Sequence, residues 1–133
     1  MCRMHHAFAL DHDVFLPREL VFEVWVDPAH LEGWYPAPDQ RLIAANGTWR
    51  VLDAAGGVVE EVRPRAARAP ERLEWEVAAG DAAGVLTVTF GGGRGTCNVA
   101  VARGDFADAA ERDRQEALWR QRLRRLEQYF AAI

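Results

Sequence analysis

Histidines and aspartates crowd one short stretch near the start of the chain, at His5, His6, Asp11, His12 and Asp13. Imidazole and carboxylate are common metal ligands, but on a strand His5 and His6 point to opposite faces. These are expected to be polar strand-end residues, with no metal site and no cofactor. Glu60 is the more informative carboxylate. Alternation sets it with Val58 and Val62 on the face turned toward a helix, while Glu61 and Arg63 face outward. A carboxylate held among apolar groups has its charged form disfavoured, which is how a general acid is prepared. No second catalytic group stands at a defined spacing from it, so Glu60 is expected at a cavity rim, reaching solvent or pairing with Arg112 or Arg114, and no catalytic residue is assigned.

Aromatic side chains carry the remaining chemistry. The five tryptophans are large for a small domain and serve either as packing or as a ligand-lining surface with polar edges. Core packing suits Trp25 and Trp119; Trp34, Tyr35, Trp49, Trp75 and Phe90 are candidates for a cavity wall. Arg120, Arg122, Arg124 and Arg125 make the end of the chain locally basic, whereas Asp105, Asp108, Glu111, Asp113 and Glu116 precede them. That order complements a helix dipole and reads as a solvated helix face. The loop Gly91-Gly92-Gly93-Arg94-Gly95 lacks the lysine and following helix of a phosphate cradle and reads as a hairpin turn.

These residues must be positioned by a chain of 133 residues with a net charge of -4. Val, Leu, Ile and Phe supply about a quarter of it, too much for disorder, and the length fits one domain with one core. All 16 basic residues are arginine, and the mild acidity argues against a nucleic-acid partner. No run of about eighteen apolar residues exists to enter a bilayer. Cys2 and Cys97 have no metal-type spacing and read as free thiols in a cytoplasmic protein.

His5 to Asp13 alternates as a strand with His6, Phe8 and Leu10 on one side. Pro17 opens a helix, Glu19 suits its first turn, and Leu20, Val21, Val24 and Trp25 recur at helical spacing as far as Val26. Asp27-Pro28 restarts a short helix over Ala29 to Glu32, stopped by Gly33. Six strand-like runs follow in meander order: Arg41 to Ala45, Thr48 to Asp53, Gly57 to Arg63, Arg72 to Ala78, Val85 to Phe90 and Thr96 to Ala102. Asn46-Gly47, Gly56-Gly57, Gly80-Asp81 and the glycine loop separate them as turns. Leu73, Trp75 and Val77 alternate with Glu74 and Glu76, the clearest inside-outside register. Similarly, Cys97, Val99 and Val101 read as inward and Asn98 as outward.

A long final helix begins at Asp108-Ala109-Ala110-Glu111, a capping-box spacing, and carries the stripe Trp119, Leu123, Leu126, Phe130, Ile133. Extended backward, that stripe meets Glu111 or Arg112 and then Gln115, so its first half is polar where its second half is core. A helix closed on a sheet at one end and polar at the other is expected to leave a ligand cavity between them.

The segment Phe15-Leu16-Pro17-Arg18-Glu19-Leu20-Val21-Phe22-Glu23-Val24-Trp25-Val26-Asp27-Pro28-Ala29-His30-Leu31-Glu32-Gly33-Trp34-Tyr35-Pro36 resembles the opening signature of the family named for activators of the heat shock protein 90 ATPase. That family sits in the START or SRPBCC superfamily with the birch-pollen allergens and polyketide cyclases. Gly47-Thr48-Trp49 resembles its third strand, Gly57 to Pro64 its fourth, Arg72-Leu73-Glu74-Trp75 its fifth and Gly95-Thr96 the start of its last. Trp119, Leu123 and Leu126 resemble its final helix. The resemblance implies an α+β helix-grip fold: a curved antiparallel sheet of about seven strands around a long C-terminal helix, with two short helices after the first strand. The family's register would instead turn Asn98 and Ala100 inward and suggest a homodimer through the sheet face.

The expected function is binding of a small apolar or amphipathic ligand between the sheet and the last helix, through Trp34, Tyr35, Trp49, Glu60, Trp75, Phe90, Glu111 and Gln115. The alternatives are a chaperone-interacting protein and a cyclase-like enzyme using Glu60 or Glu111 as acid or base.

Overall fold

The structure, a computed structural model, describes residues 6–79, 82–92 and 95–132. Cys2, His5, the Gly80-Asp81 turn, Gly93-Arg94 and Ile133 lie outside the described residues. The elements are β1 (His6–Val14), α1 (Arg18–Val26), α2 (Pro28–Leu31), β2 (Arg41–Ala45), β3 (Thr48–Leu52), β4 (Val58–Arg68), β5 (Arg72–Ala79), β6 (Ala82–Gly91), β7 (Cys97–Phe106) and α3 (Ala109–Ala132). Their strands make one 7-stranded sheet in the order β1-β7-β6-β5-β4-β3-β2, antiparallel throughout. This is the expected meander, with β1 added beside its last strand, and the expected α+β helix-grip plan. No helix among the described residues is long and apolar enough to cross a membrane.

Local chemistry explains most element ends. Pro17 sits one position before the helical residues of α1, with ψ 141, and its carbonyl accepts from the Leu20 and Val21 amides. On α1, Val21, Phe22, Val24 and Trp25 are buried, whereas Leu20, counted into the apolar face by spacing, is half exposed. Asp27 accepts from the Ala29 amide at 3.0 Å, with Pro28 in the first turn of α2. Gly33 follows that helix, and its value is spatial: a Cβ there would collide with the Tyr129 ring of α3. Asn46 and Gly47 both take positive φ, 54 and 75, as the tight β2–β3 turn requires.

Three strands run further than the apolar pattern suggests. β4 continues past Pro64 to Arg68, through a register shift between Pro64 and Ala66, although this second half is exposed. Pairing with β5, not burial, sustains it, and that contribution is invisible to hydrophobic alternation. Likewise β6 starts at Ala82 and β7 ends at Phe106. The register of β5 is as expected, with Leu73, Trp75 and Val77 buried and Glu76 exposed. In β7, Cys97, Val99 and Val101 are fully buried, while the Asn98 amide donates to Asp13 Oδ1 at 2.9 Å on the outer face. The hydrophobic pattern therefore holds, the inward Asn98 is overturned, and the dimer argument built on outward Val99 and Val101 loses its basis.

α3 packs mainly along β1 and β7. Asp108 Oδ1 accepts from the Glu111 amide at 2.8 Å, half of the expected capping box. Along α3 the buried residues are Gln115, Trp119, Arg122, Leu123 and Leu126. Residues 109–116 thus bury one side chain, a polar one, and the apolar contact begins at Trp119.

Candidate functional site

Trp25, brought inward by α1, is the hub of the interior. Its ring centroid lies 4.6 Å from Trp34, 5.7 Å from Trp75, 5.8 Å from Phe90 and 5.8 Å from Trp119, the last pair parallel. Tyr35 packs edge-on against Trp75 and Trp119, and Trp49 edge-on against Trp75. The candidate wall residues Trp34, Tyr35, Trp49, Trp75 and Phe90 are therefore gathered into one buried cluster with the two tryptophans expected in the core. Trp34 reaches this place because α2 ends just before it, and its indole N–H donates to the Val24 carbonyl at 3.3 Å.

Into this apolar cluster the fold inserts charge. Glu60 on β4 is 3% exposed and faces inward with Val62, whereas Val58, assigned to the same face by alternation, is exposed at the start of the strand, beside a register shift against β3. Its partner is Arg122, which donates to both carboxylate oxygens at 2.7 and 3.2 Å. This corrects the rim position and the pairing with Arg112 or Arg114: Arg112 pairs instead with Asp113 and Glu116, and Arg114 with Glu111. Arg122 also donates from Nε to the Tyr35 carbonyl at 3.1 Å, and its guanidinium lies 3.7 Å from the Tyr35 ring centroid and 5.0 Å from that of Trp119. Arg125 donates to the Trp34 and Tyr35 carbonyls at 3.0 and 3.2 Å. The arginines thus tie α3 to the chain between α2 and β2 and to β4.

The expected solvated face is wrong at Arg122, which is 2% exposed, and only partly right at Arg125. A signal was present in the spacing. Arg122 stands three residues after Trp119 and four before Leu126, on the buried stripe, and an inward Glu60 calls for an inward cation. Burial alone would weaken the charge on Arg122, but Glu60 and Tyr35 outweigh it and raise its pKa. Burial also holds the Tyr35 phenol well above its usual value, with Arg122 pulling it down and Glu60 pushing it up.

Arg103 is a second inward arginine that the strand pattern missed, though it continues the alternation Cys97, Val99, Val101. It is 3% exposed, its guanidinium lies 4.6 Å from the Phe106 ring, and it occupies the space a side chain at Gly84 would need. Burial lowers its pKa, against the attraction of Glu60, Tyr35 and Glu111. The polar start of α3 lies on this side. Glu111 is half-buried, bonds Arg114, and accepts from Gln115 Nε2 at 3.1 Å; these bonds hold its carboxyl below the usual range, Arg114 first. Gln115 is 6% exposed.

Three buried polar atoms in this interior find no hydrogen-bond partner among the described residues: Gln115 Oε1, Trp25 Nε1 and Trp119 Nε1. Cavities formed by described residues include two on the outer face of the sheet and two beside β1, and these four are not lined by the aromatic cluster. One of about 440 Å³ and one of about 460 Å³ lie across the outer face of the sheet, at Glu61, Glu76 and Val85 and at Ala9, Thr87 and Ala102. One of about 190 Å³ lies between β1 and α3, and one of about 320 Å³ between Phe15 and Phe130. Among the described residues no three His, Cys, Asp or Glu are grouped to hold a metal ion, and His12 lies 3.8 Å from Glu127 instead.

Among solved structures, the chain is similar to protein CV1439 from Chromobacterium violaceum, with 19% identity, TM-score 0.76, and coverage of 92% of this chain and 95% of that one. A protein from Rhodobacter sphaeroides has 18% identity, TM-score 0.76, and coverage of 96% and 94%. The AHSA1 protein from Silicibacter pomeroyi has 17% identity, TM-score 0.74, and coverage of 95% and 98%. At such identities these likenesses show the fold. No curated protein matches the chain. The family described as Activator of Hsp90 ATPase homolog 1-like protein matches residues 16–131, the span that carries both the aromatic cluster and its arginines, and the chain belongs to that family.

Proposed function

We propose that this protein binds a small amphipathic molecule between the sheet and the first turns of α3. The observation that carries the reading is the set of unmatched donors and acceptors, Gln115 Oε1, Trp25 Nε1 and Trp119 Nε1, in an otherwise aromatic interior. Buried polar groups left without a protein partner each cost roughly 1–3 kcal/mol, a cost that a guest able to pair with them removes. Aromatic walls with a few convergent polar groups are the usual composition of a small-molecule site. Access falls to residues 109–116, because Gln115 is the one buried side chain among them. Trp34, Tyr35, Trp49, Trp75 and Phe90 supply the apolar contact, with Glu60, Glu111 and Gln115 at the polar side.

Titration of the intrinsic tryptophan fluorescence with amphipathic alcohols, acids and aromatic polyketides tests this. Saturable change at micromolar ligand is expected, and its absence with every compound would end the reading. Family membership supports a second reading, contact with the heat shock protein 90 chaperone. Stimulation of the purified chaperone's ATPase by this chain, undiminished when the interior is altered by Gln115→Leu, would favour it.

A further inference from the structure

We infer that the guest carries a neutral hydroxyl, in preference to a carboxylate, and that the Glu111–Gln115 pair imposes this choice; the inference rests on the binding reading above. A primary amide is ambiguous by itself, since it can turn either its N–H₂ or its oxygen inward. Here the ambiguity is removed by the neighbour one helical turn earlier. Glu111 bonds Arg114, which keeps its carboxyl ionised, and an ionised carboxylate only accepts hydrogen bonds. It takes Gln115 Nε2 at 3.1 Å, so nitrogen faces Glu111 and Oε1 is left in the buried interior without a partner.

A guest that meets Oε1 must therefore donate. A carboxylate would set acceptor against acceptor and lose its water with nothing gained at that point. A protonated amine would donate, but it would leave its water for an interior where the carboxylate of Glu60 is already committed to Arg122. A hydroxyl donates to Oε1 without bringing charge. Arg103 is the rival influence: were its guanidinium the group that reads the guest, a carboxylate would be preferred.

Three probes of one chain length separate these cases: decan-1-ol, decanoate at pH 8 and methyl decanoate, titrated against tryptophan fluorescence. The alcohol is expected to bind about tenfold tighter than either of the others, the size of one well-placed buried hydrogen bond. Gln115→Leu should abolish that preference while methyl decanoate still binds. Glu111→Gln, at a half-buried position that leaves the core intact, frees the amide to turn and should shrink the preference several-fold. Decanoate binding as tightly as the alcohol, or a preference unchanged in both variants, would overturn this inference while leaving the binding reading in place. Failure of all three probes to bind would remove both.

Discussion

Arg122 meets four demands at once: it neutralises Glu60, caps the Tyr35 carbonyl, and covers the Tyr35 and Trp119 rings. Removing one member of a buried pair leaves the other charge stranded, so Arg122→Met is expected to cost about 3–5 kcal/mol in denaturant unfolding. Glu60→Leu combined with Arg122→Met should recover most of that loss, because both charges then leave the interior together. If the double variant is no more stable than the single one, the carbonyl bond to Tyr35 outweighs the ion pair. Tyr35 adds a pH dependence. Its folded value lies above its unfolded one, so the folded state holds the proton longer, and stability is complete below the unfolded phenol value of about 10 and falls as pH rises beyond it. Alkaline unfolding followed by tryptophan fluorescence is expected to shift to higher pH in Tyr35→Phe. An unshifted midpoint would count against that burial.

At the scale of elements, α3 is two helices in energetic terms. Its first two turns are held by the Asp108 cap and by Gln115, whereas Trp119, Leu123 and Leu126 bury apolar surface from the middle onward. Local opening is cheapest where buried apolar contacts are fewest. Amide hydrogen exchange is therefore expected to be at least about tenfold faster over residues 112–116 than over 119–126. Equal protection would mean that α3 moves as one rod. The far end is pinned differently. His30 Nδ1 and the Tyr129 hydroxyl are 2.7 Å apart, and Gly33 gives the Tyr129 ring its place. Gly33→Ala must push that ring aside, with an expected loss of about 1–3 kcal/mol by thermal unfolding and a lost His30 bond visible in the imidazole NMR shifts. A neutral outcome would show that the α2–α3 contact is slack.

For the whole molecule, one aromatic cluster touches α1, the chain after α2, the middle strands and α3. A core shared so widely should unfold in a single step, with tryptophan fluorescence and far-ultraviolet circular dichroism giving the same midpoint. Separate midpoints would mean that α3 detaches before the sheet. Most of this plan could be read along the chain, because alternation, Pro17, Asp27-Pro28, Asn46-Gly47 and the Asp108 cap are local causes with local effects. The strand extensions were not legible, since backbone pairing beyond Pro64 leaves no hydrophobic trace. The inward face of Glu60 and the polar start of the last helix follow from periodicity alone. Tertiary structure decided which arginine meets Glu60, that Arg103 lies over Gly84, and that the amide of Gln115 is turned by Glu111. Period assigns a face to a residue; only the approach of strands and helix distant in sequence chooses its partner, and burial then gives that partnership its strength.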